Sequence, residues 1–251
     1  MEEPLAIALA WRDSSGNTLR RVFTVTMRTP GNDAELALGL LLSEGVIRRR
    51  DDITAVHREP GEEGSNEIEI TLTAGIVPDW ARYDRNLATQ SSCGVCGKTS
   101  LQALALKDPP TADSTPGWLD PALLPLLPGR LRDAQALFRE TGGVHAAGLF
   151  DDSGELLVLR EDVGRHNALD KLVGTRLESG GLAGGPCILV LSGRASFELL
   201  QKAVMAAIPV VVAVGAPSSL AVRVAQQHDI TLAGFASDTG FSIYHGAQRL
   251  R

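Results

Sequence analysis

Two cysteines spaced by two residues stand in the segment Ser91-Ser92-Cys93-Gly94-Val95-Cys96-Gly97-Lys98. Thiols at that spacing can hold a metal, exchange a disulfide or hand on a sulfane sulfur. The thiolate is the reacting form, and the Lys98 ammonium favours it electrostatically. What surrounds the pair separates the alternatives. A tetrahedral zinc site needs four ligands, and the sequence offers neither a second Cys pair nor a His pair at finger spacing. A thioredoxin-type exchanger opens a helix directly after a core strand, whereas Leu87-Ala88-Thr89-Gln90 carries little patterning of either kind. Sulfur carriage, with one cysteine bearing a persulfide and the other assisting its release, suits an accessible run of glycines and serines. Two buried structural cysteines fit that composition poorly. The third cysteine, Cys187, opens an apolar run and reads as core.

Polar residues recur where elements of different type meet. His145 follows a glycine pair in Thr141-Gly142-Gly143-Val144-His145-Ala146-Ala147, so a ligand could approach the backbone there. The segment Glu161-Asp162-Val163-Gly164-Arg165-His166-Asn167-Ala168-Leu169-Asp170-Lys171 sets Asp162 and His166 four residues apart, a spacing at which they are expected to face each other. Histidines are more often structural than functional, but two of the five in the chain occupy such transitions. Ser192-Gly193-Arg194-Ala195-Ser196 and Gly215-Ala216-Pro217-Ser218-Ser219 each join the end of an apolar strand to the start of a helix. Free backbone N–H groups and the positive helix end gather at such joints, where phosphate binds well, and Arg194 adds a cation that can bind it in bidentate fashion. A phosphorylated ligand is therefore expected. The glycine-rich stretch 179–185 lacks Walker spacing and reads as a connection.

These residues need elements to hold them. Leu19 to Met27 reads as a strand, residues 32–45 as a capped helix ending in glycine, and Asn66 to Thr73 as a half-exposed strand after a hairpin loop. Residues 84–130 break the pattern with the Cys pair and then six prolines, a density that resists regular structure, although Leu123, Leu124, Leu126 and Leu127 could dock on a core. Beyond them a hairpin turns at Asp152-Ser153-Gly154, and Asn167 to Val173 reads as helix. Strands at 187–191, 210–214 and 231–235 alternate with helices at 196–207 and 220–227. That alternation implies parallel strands with helices packed on the sheet. The fold class is α/β. The organisation is a small α/β subdomain over 1–83, a Cys-pair and Pro-rich connection over 84–130, and a nucleotide-binding domain over 131–251.

The 251 residues are 44% hydrophobic and 22% charged, which excludes a disordered chain, a collagen-like chain and a disulfide scaffold. The net charge of −6 argues against a broad electrostatic hold on nucleic acid. No apolar run is long enough for a membrane span, and the Met-Glu-Glu-Pro start lacks the features of a signal peptide, so a cytoplasmic protein with reduced thiols is expected.

Taken in order, Arg28-Thr29-Pro30-Gly31, Leu42-Ser43-Glu44-Gly45, Cys93-Gly94-Val95-Cys96-Gly97, the Gly142-Gly143 and Gly164-Arg165-His166 segments and Ser192-Gly193-Arg194-Ala195-Ser196 resemble the FdhD family of formate dehydrogenase accessory proteins over nearly the whole chain. The resemblance implies a cytidine-deaminase-like three-layer α/β/α C-terminal domain beside the smaller N-terminal one, and a homodimer. It also implies a sulfur carrier loaded by a cysteine desulfurase. Its cargo goes to the bis-guanine-dinucleotide molybdenum or tungsten cofactor, held as a bound substrate, before formate dehydrogenase receives it. No resident metal is implied. Cys93 corresponds to the persulfide cysteine and Cys96 to its partner. Phe235-Ala236-Ser237-Asp238-Thr239-Gly240 corresponds to the cofactor-binding stretch, beside Ser192, Gly193, His145 and His166. This chain departs from members that carry Lys or Arg within that stretch, so the phosphate contacts are expected at Arg194 and Arg165 instead. A zinc deaminase, the obvious rival on such a fold, needs a Glu two residues after its ligand His and a downstream Pro-Cys-x-x-Cys. His145 is followed by Ala146 and Ala147, and the Cys pair lies upstream without the proline.

Overall fold

The computed structural model describes residues 2–58, 66–81, 83, 109–180 and 185–251. Cys93, Cys96 and Lys98 lie outside the described residues. Two mixed sheets make the framework. The first joins β1 (Glu3–Arg12), β2 (Thr18–Arg28), β3 (Ile53–Arg58) and β4 (Glu67–Leu72) in the order β2-β1-β4-β3. The second joins β5 (His145–Asp151), β6 (Leu156–Asp162), β7 (Cys187–Leu191), β8 (Val210–Ala213), β9 (Thr231–Ser237) and β10 (Gly240–His245) in the order β10-β9-β8-β7-β5-β6. Within it β7, β8 and β9 are parallel, as the alternation of strands and helices implies. Among the described residues, no helix is long and apolar enough to cross a membrane.

Four helices fill the space between the sheets and cover one face of the second. They are α1 (Asp33–Ser43), then, past α2 (Leu127–Ala134) and α3 (Ala136–Thr141), α4 (Arg165–Glu178), α5 (Phe197–Met205) and α6 (Ser219–Gln227). One hydrophobic cluster runs from Leu5, Ile7 and Leu9 of β1 through Leu38 of α1 and Leu172 of α4 to Leu189 of β7. Strand alternation sends Ile188 and Val190 to the opposite face, where α2 (Leu127–Ala134) and its approach bury Leu119, Leu124, Leu127 and Leu131. Here the structure corrects the expectation of an irregular Pro-rich connection. Pro121 and Pro128 occupy first-turn positions, where a missing N–H costs nothing, so a 3-10 turn at Pro121–Leu123 and α2 form in succession, followed by the short α3 (Ala136–Thr141). Of the leucines expected to dock, Leu124 and Leu127 are buried, while Leu126 is left exposed.

β1, β3 and β10 carried no sequence signal strong enough to assign. β1 is buried on both faces, since Ala8 and Ala10 are out of solvent as well as Ile7 and Leu9 between them, so the polar half of its alternation is missing.

The two halves meet where α1 crosses α4. A Cβ on Gly39 would stand 1.8 Å from the Asp170 carbonyl oxygen, and one on Gly174 would stand 1.9 Å from that of Glu35. Backbone therefore lies against backbone, and alanine at either position forces the helices apart. Overpacking of this kind costs about 1–3 kcal/mol or more. Gly39→Ala and Gly174→Ala are expected to lower the urea midpoint by an amount that, multiplied by the m-value, is at least that large, whereas Gly129→Ala in α2, with open space around it, leaves the midpoint unchanged or slightly raised. Equal midpoints for all three variants would refute the close-contact account.

Candidate functional site

The carboxyl ends of β7, β8 and β9 share one edge with the start of β5 and the end of β6. Helices α4, α5 and α6 begin there, capped by Gly164, Ser196 and Ser218; the Ser196 and Ser218 hydroxyls accept from Leu199 N at 3.4 Å and Ala221 N at 3.1 Å. The intervening loops are tied to one another. Ala146 N donates to Ser192 Oγ at 2.8 Å, Gly215 N to the Gly193 carbonyl at 3.0 Å, Ser218 N to that of Ala195 at 2.9 Å, and Phe235 N to that of Gly215 at 3.3 Å. Gly215 is required by this arrangement, because a Cβ there would stand 2.9 Å from Arg194 Cγ and 3.0 Å from its Cα. Three helix starts and a set of rigid loops at the carboxyl ends of parallel strands make a surface suited to an anionic ligand.

A cleft of about 870 Å³ opens beside this edge, between it and the α2–α3 segment. His145, Ser192, Ala236, Ser237 and Asp238, all named from the sequence, line it. Phe235, Thr239, Gly193, Arg194, Arg165 and His166 lie outside its lining. Phe235 holds a left-handed backbone (φ 52°) and is 55% exposed, strain of a kind that collects at functional positions. Ser237 and Thr239 share a hydroxyl hydrogen bond of 2.9 Å in the turn between β9 and β10, which Gly240 (φ 147°) closes. Arg194 is exposed on the loop after β7.

Sequence reasoning missed the opposing wall, which brings Leu126, Arg132 and Phe138 into the cleft. The Arg132 guanidinium stands 5.3 Å from the centre of the Phe138 ring. The apolar spacing of Leu124, Leu127 and Leu131 was the available signal, masked by the prolines between them.

Burial governs the histidines. It lowers the affinity of His145 for a proton, and the Arg165 charge adds to the effect. Burial pushes His166 down to about 4 against the pull of Glu198, so both rings are neutral at pH 7. His166 does not face Asp162, contrary to the expectation from their spacing. Its Nε2 stands 3.2 Å from Ser196 Oγ and 3.5 Å from the Glu198 carboxylate. Asp162, fully buried, instead takes the Lys171 ammonium at 2.7 Å and accepts from Thr29 N at 3.0 Å. The reason is geometric: Asp162 ends β6 and His166 lies in the first turn of α4, so the helical spacing never applies. A hydroxyl and a carboxylate on the same ring nitrogen also rule out a relay of the serine-protease kind, which needs one partner on each nitrogen.

Behind His166, Lys202 donates to both Asp170 oxygens at 2.9 Å and lies 3.6 Å from Glu198, while Ser43 of α1 donates to Asp170 at 3.0 Å. Burial raises Asp170 to about 6, so it is still ionised at neutral pH, and the two carboxylates hold the Lys202 ammonium firmly protonated. No group of three or more His, Cys, Asp or Glu side chains among the described residues is placed to hold a metal ion.

The family model described as the FdhD/NarQ family matches residues 1–251. The chain is 48% identical to the sulfur carrier protein FdhD of Streptomyces avermitilis, over 99% of this chain and 87% of that one. It is 46% identical to the protein of that name from Mycolicibacterium paratuberculosis, over 100% and 90%. A crystal structure of a protein described as a formate dehydrogenase accessory protein, from Desulfotalea psychrophila, superposes with a TM-score of 0.73 at 22% identity, over 100% of this chain and 90% of that one, a likeness of fold.

Two measurements check the electrostatics. Removing one member of a buried ion pair costs about 3–5 kcal/mol, so Lys202→Met is expected to destabilise strongly and Lys202→Met with Asp170→Leu to recover part of the loss. Because His166 binds its proton less tightly folded than unfolded, its contribution to stability is complete above about pH 6.5 and is lost as pH falls toward about 4. The urea stability of wild type relative to His166→Gln should therefore fall between pH 7 and pH 4.5. A constant difference would show that the ring is not held neutral.

Proposed function

The chain belongs to the FdhD/NarQ family, and from that premise we propose that it is a sulfur carrier. It accepts a persulfide from a cysteine desulfurase and delivers the sulfur to the bis-guanine-dinucleotide molybdenum or tungsten cofactor, its bound substrate, on behalf of a formate dehydrogenase. The observation that carries the cofactor half of this reading is the 870 Å³ cleft at the carboxyl ends of β7, β8 and β9. Its size suits a nucleotide, its walls offer Phe138 for stacking and Arg132 for charge, and the starts of α4, α5 and α6 lie along the same edge for phosphates. Arg194 and Arg165 stand at those helix starts and supply further cations there. The deaminase-like arrangement of layers and the homodimer belong to the same proposal.

The sulfur half rests on Cys93 and Cys96. In loading, the Cys93 thiolate attacks the outer sulfur of the desulfurase persulfide; an S–S bond forms at Cys93 and the desulfurase thiolate leaves. In delivery, the Cys96 thiolate attacks Cys93 Sγ. The Cys93–Cys96 disulfide forms, and the sulfane sulfur departs with the electron pair as hydrosulfide. Hydrosulfide replaces an oxo group of the substrate, which leaves as hydroxide, and a cellular thiol reduces the disulfide. Nucleotide binding and sulfur carriage are thus tasks of separate segments.

Incubation with a desulfurase and cysteine is expected to add sulfur to the peptide containing residues 93–96, detected by mass spectrometry. Cys93→Ala should lose that sulfur and fail to restore formate dehydrogenase activity in a deletion strain; an active variant would end the carrier proposal. Insulin reduction should be absent, which separates carriage from disulfide exchange. Guanosine diphosphate should bind in calorimetry, and Arg194→Ala should weaken it about tenfold through loss of a charge-assisted hydrogen bond.

A further inference from the structure

Where β5 and β7 reach the cleft, two polar side chains line it that the fold itself leaves unused. His145 opens β5, opposite Asp162 of β6 in register. Neither of its ring nitrogens is bonded to another described residue. Glycines keep the ring open: Gly142 and Gly143 before it carry no side chain, and a Cβ on Gly193 would stand 3.4 Å from its Nδ1 and Cε1. Ser192, just past β7, accepts from Ala146 N at 2.8 Å, which orients its oxygen, and no described residue takes its proton. The other ionisable side chains of the lining are Arg132 and the exposed Asp238. A guanidinium only donates and an ionised carboxylate only accepts, whereas a neutral imidazole holds a donor and an acceptor at once.

Sulfur delivery needs such a group. Hydrosulfide brings a proton that the product does not keep, and the oxo group leaves as hydroxide only after gaining one. We propose that His145 carries this proton from the incoming sulfur to the departing oxygen, an inference that rests on the carrier reading above. One nitrogen of the ring takes the S–H proton as an electron pair of sulfur binds the metal of the substrate. The other nitrogen gives its own proton to the oxo group, the metal–oxygen bond breaks, and hydroxide leaves with the electron pair. The Ser192 hydroxyl donates to that oxygen as it departs. The ring ends neutral as the other tautomer, and no oxidant or reductant is consumed. Its surroundings favour the neutral form: burial and the Arg165 charge lower its affinity for a proton, His166 beside Arg165 is neutral too, and Lys171 occupies Asp162. Arg132 and Asp238 are the charged groups that share the cleft with it.

Delivery and loading are measured separately on the full chain. Persulfide-loaded protein is added to an extract of the deletion strain and the rate at which formate dehydrogenase activity appears is followed, while loading is read by mass spectrometry. His145→Gln, similar in size but unable to pass a proton on, is expected to load as wild type does and to deliver about 100-fold more slowly. His145→Gly should regain part of the rate when imidazole is added. Because the ring works neutral and its pKa lies below 6.5, wild-type delivery should hold at pH 6.5 and decline only on further acidification, a decline absent from His145→Gln. Delivery by His145→Gln at the wild-type rate, loss of its loading, or a glycine variant indifferent to imidazole would each overturn the assignment of His145. Wild type that loads but restores no activity would overturn the carrier reading itself.

Discussion

Everything at the strand-end edge depends on how closely α1 and α4 can approach, and two missing methyl groups set that distance. With Gly39 against the Asp170 carbonyl and Gly174 against that of Glu35, the helices touch backbone to backbone. Only at that separation does the short Ser43 hydroxyl reach Asp170, with Lys202 on its other side. The Arg160 guanidinium likewise grips both oxygens of Glu35, at 2.5 and 2.7 Å. Larger residues would spread the helices, stretch these bonds and leave the buried Asp170 carboxylate short of the Ser43 donor, a cost added to the steric one.

The segment from Glu161 to Lys171 shows how a row of ionisable residues can be mostly fastening. Glu161 accepts from Leu137 N and Phe138 N, both at 2.9 Å, and so caps α3 and sets one wall of the cleft. Asp162 and Lys171 hold Thr29, Asn167 donates to the Met27 carbonyl at 2.7 Å, and Asp170 joins three helices. Every one of these side chains reaches out of its own element. The density of charge reflects the number of elements meeting there, and a phosphate ligand gains a rigid platform from it.

The sequence was legible where periodicity and punctuation agree. The helix from Asp33 and the strands at 187, 210 and 231 announce themselves by uninterrupted apolar runs between caps and glycines. β1 does not, because both its faces are covered and its alternation vanishes; α2 does not, because proline signals a break in sequence yet fits a first helical turn. At the site, the strand-end loops could be read from Ser-Gly and Gly-Ala-Pro joints, since chain direction alone decides that they converge. Arg132 and Phe138 could not, for their part in the cleft comes from a helix pair packed across the sheet rather than from any local pattern. The supposed pairing of Asp162 with His166 failed because a spacing rule for helices was applied across a strand end.

The C-terminal residues fasten the stretch that follows the Cys segment. Arg249, wholly buried, donates to the Asp113 carbonyl at 2.7 and 3.0 Å and to Asp229 at 3.0 Å, and Leu119 bridges to Leu250 in parallel. Asp113 thus finds its partner 136 positions later in the sequence. On the ribosome the stretch around Asp113 and Leu119 must wait, unlatched, until Arg249 and Leu250 have been made and have left the exit tunnel.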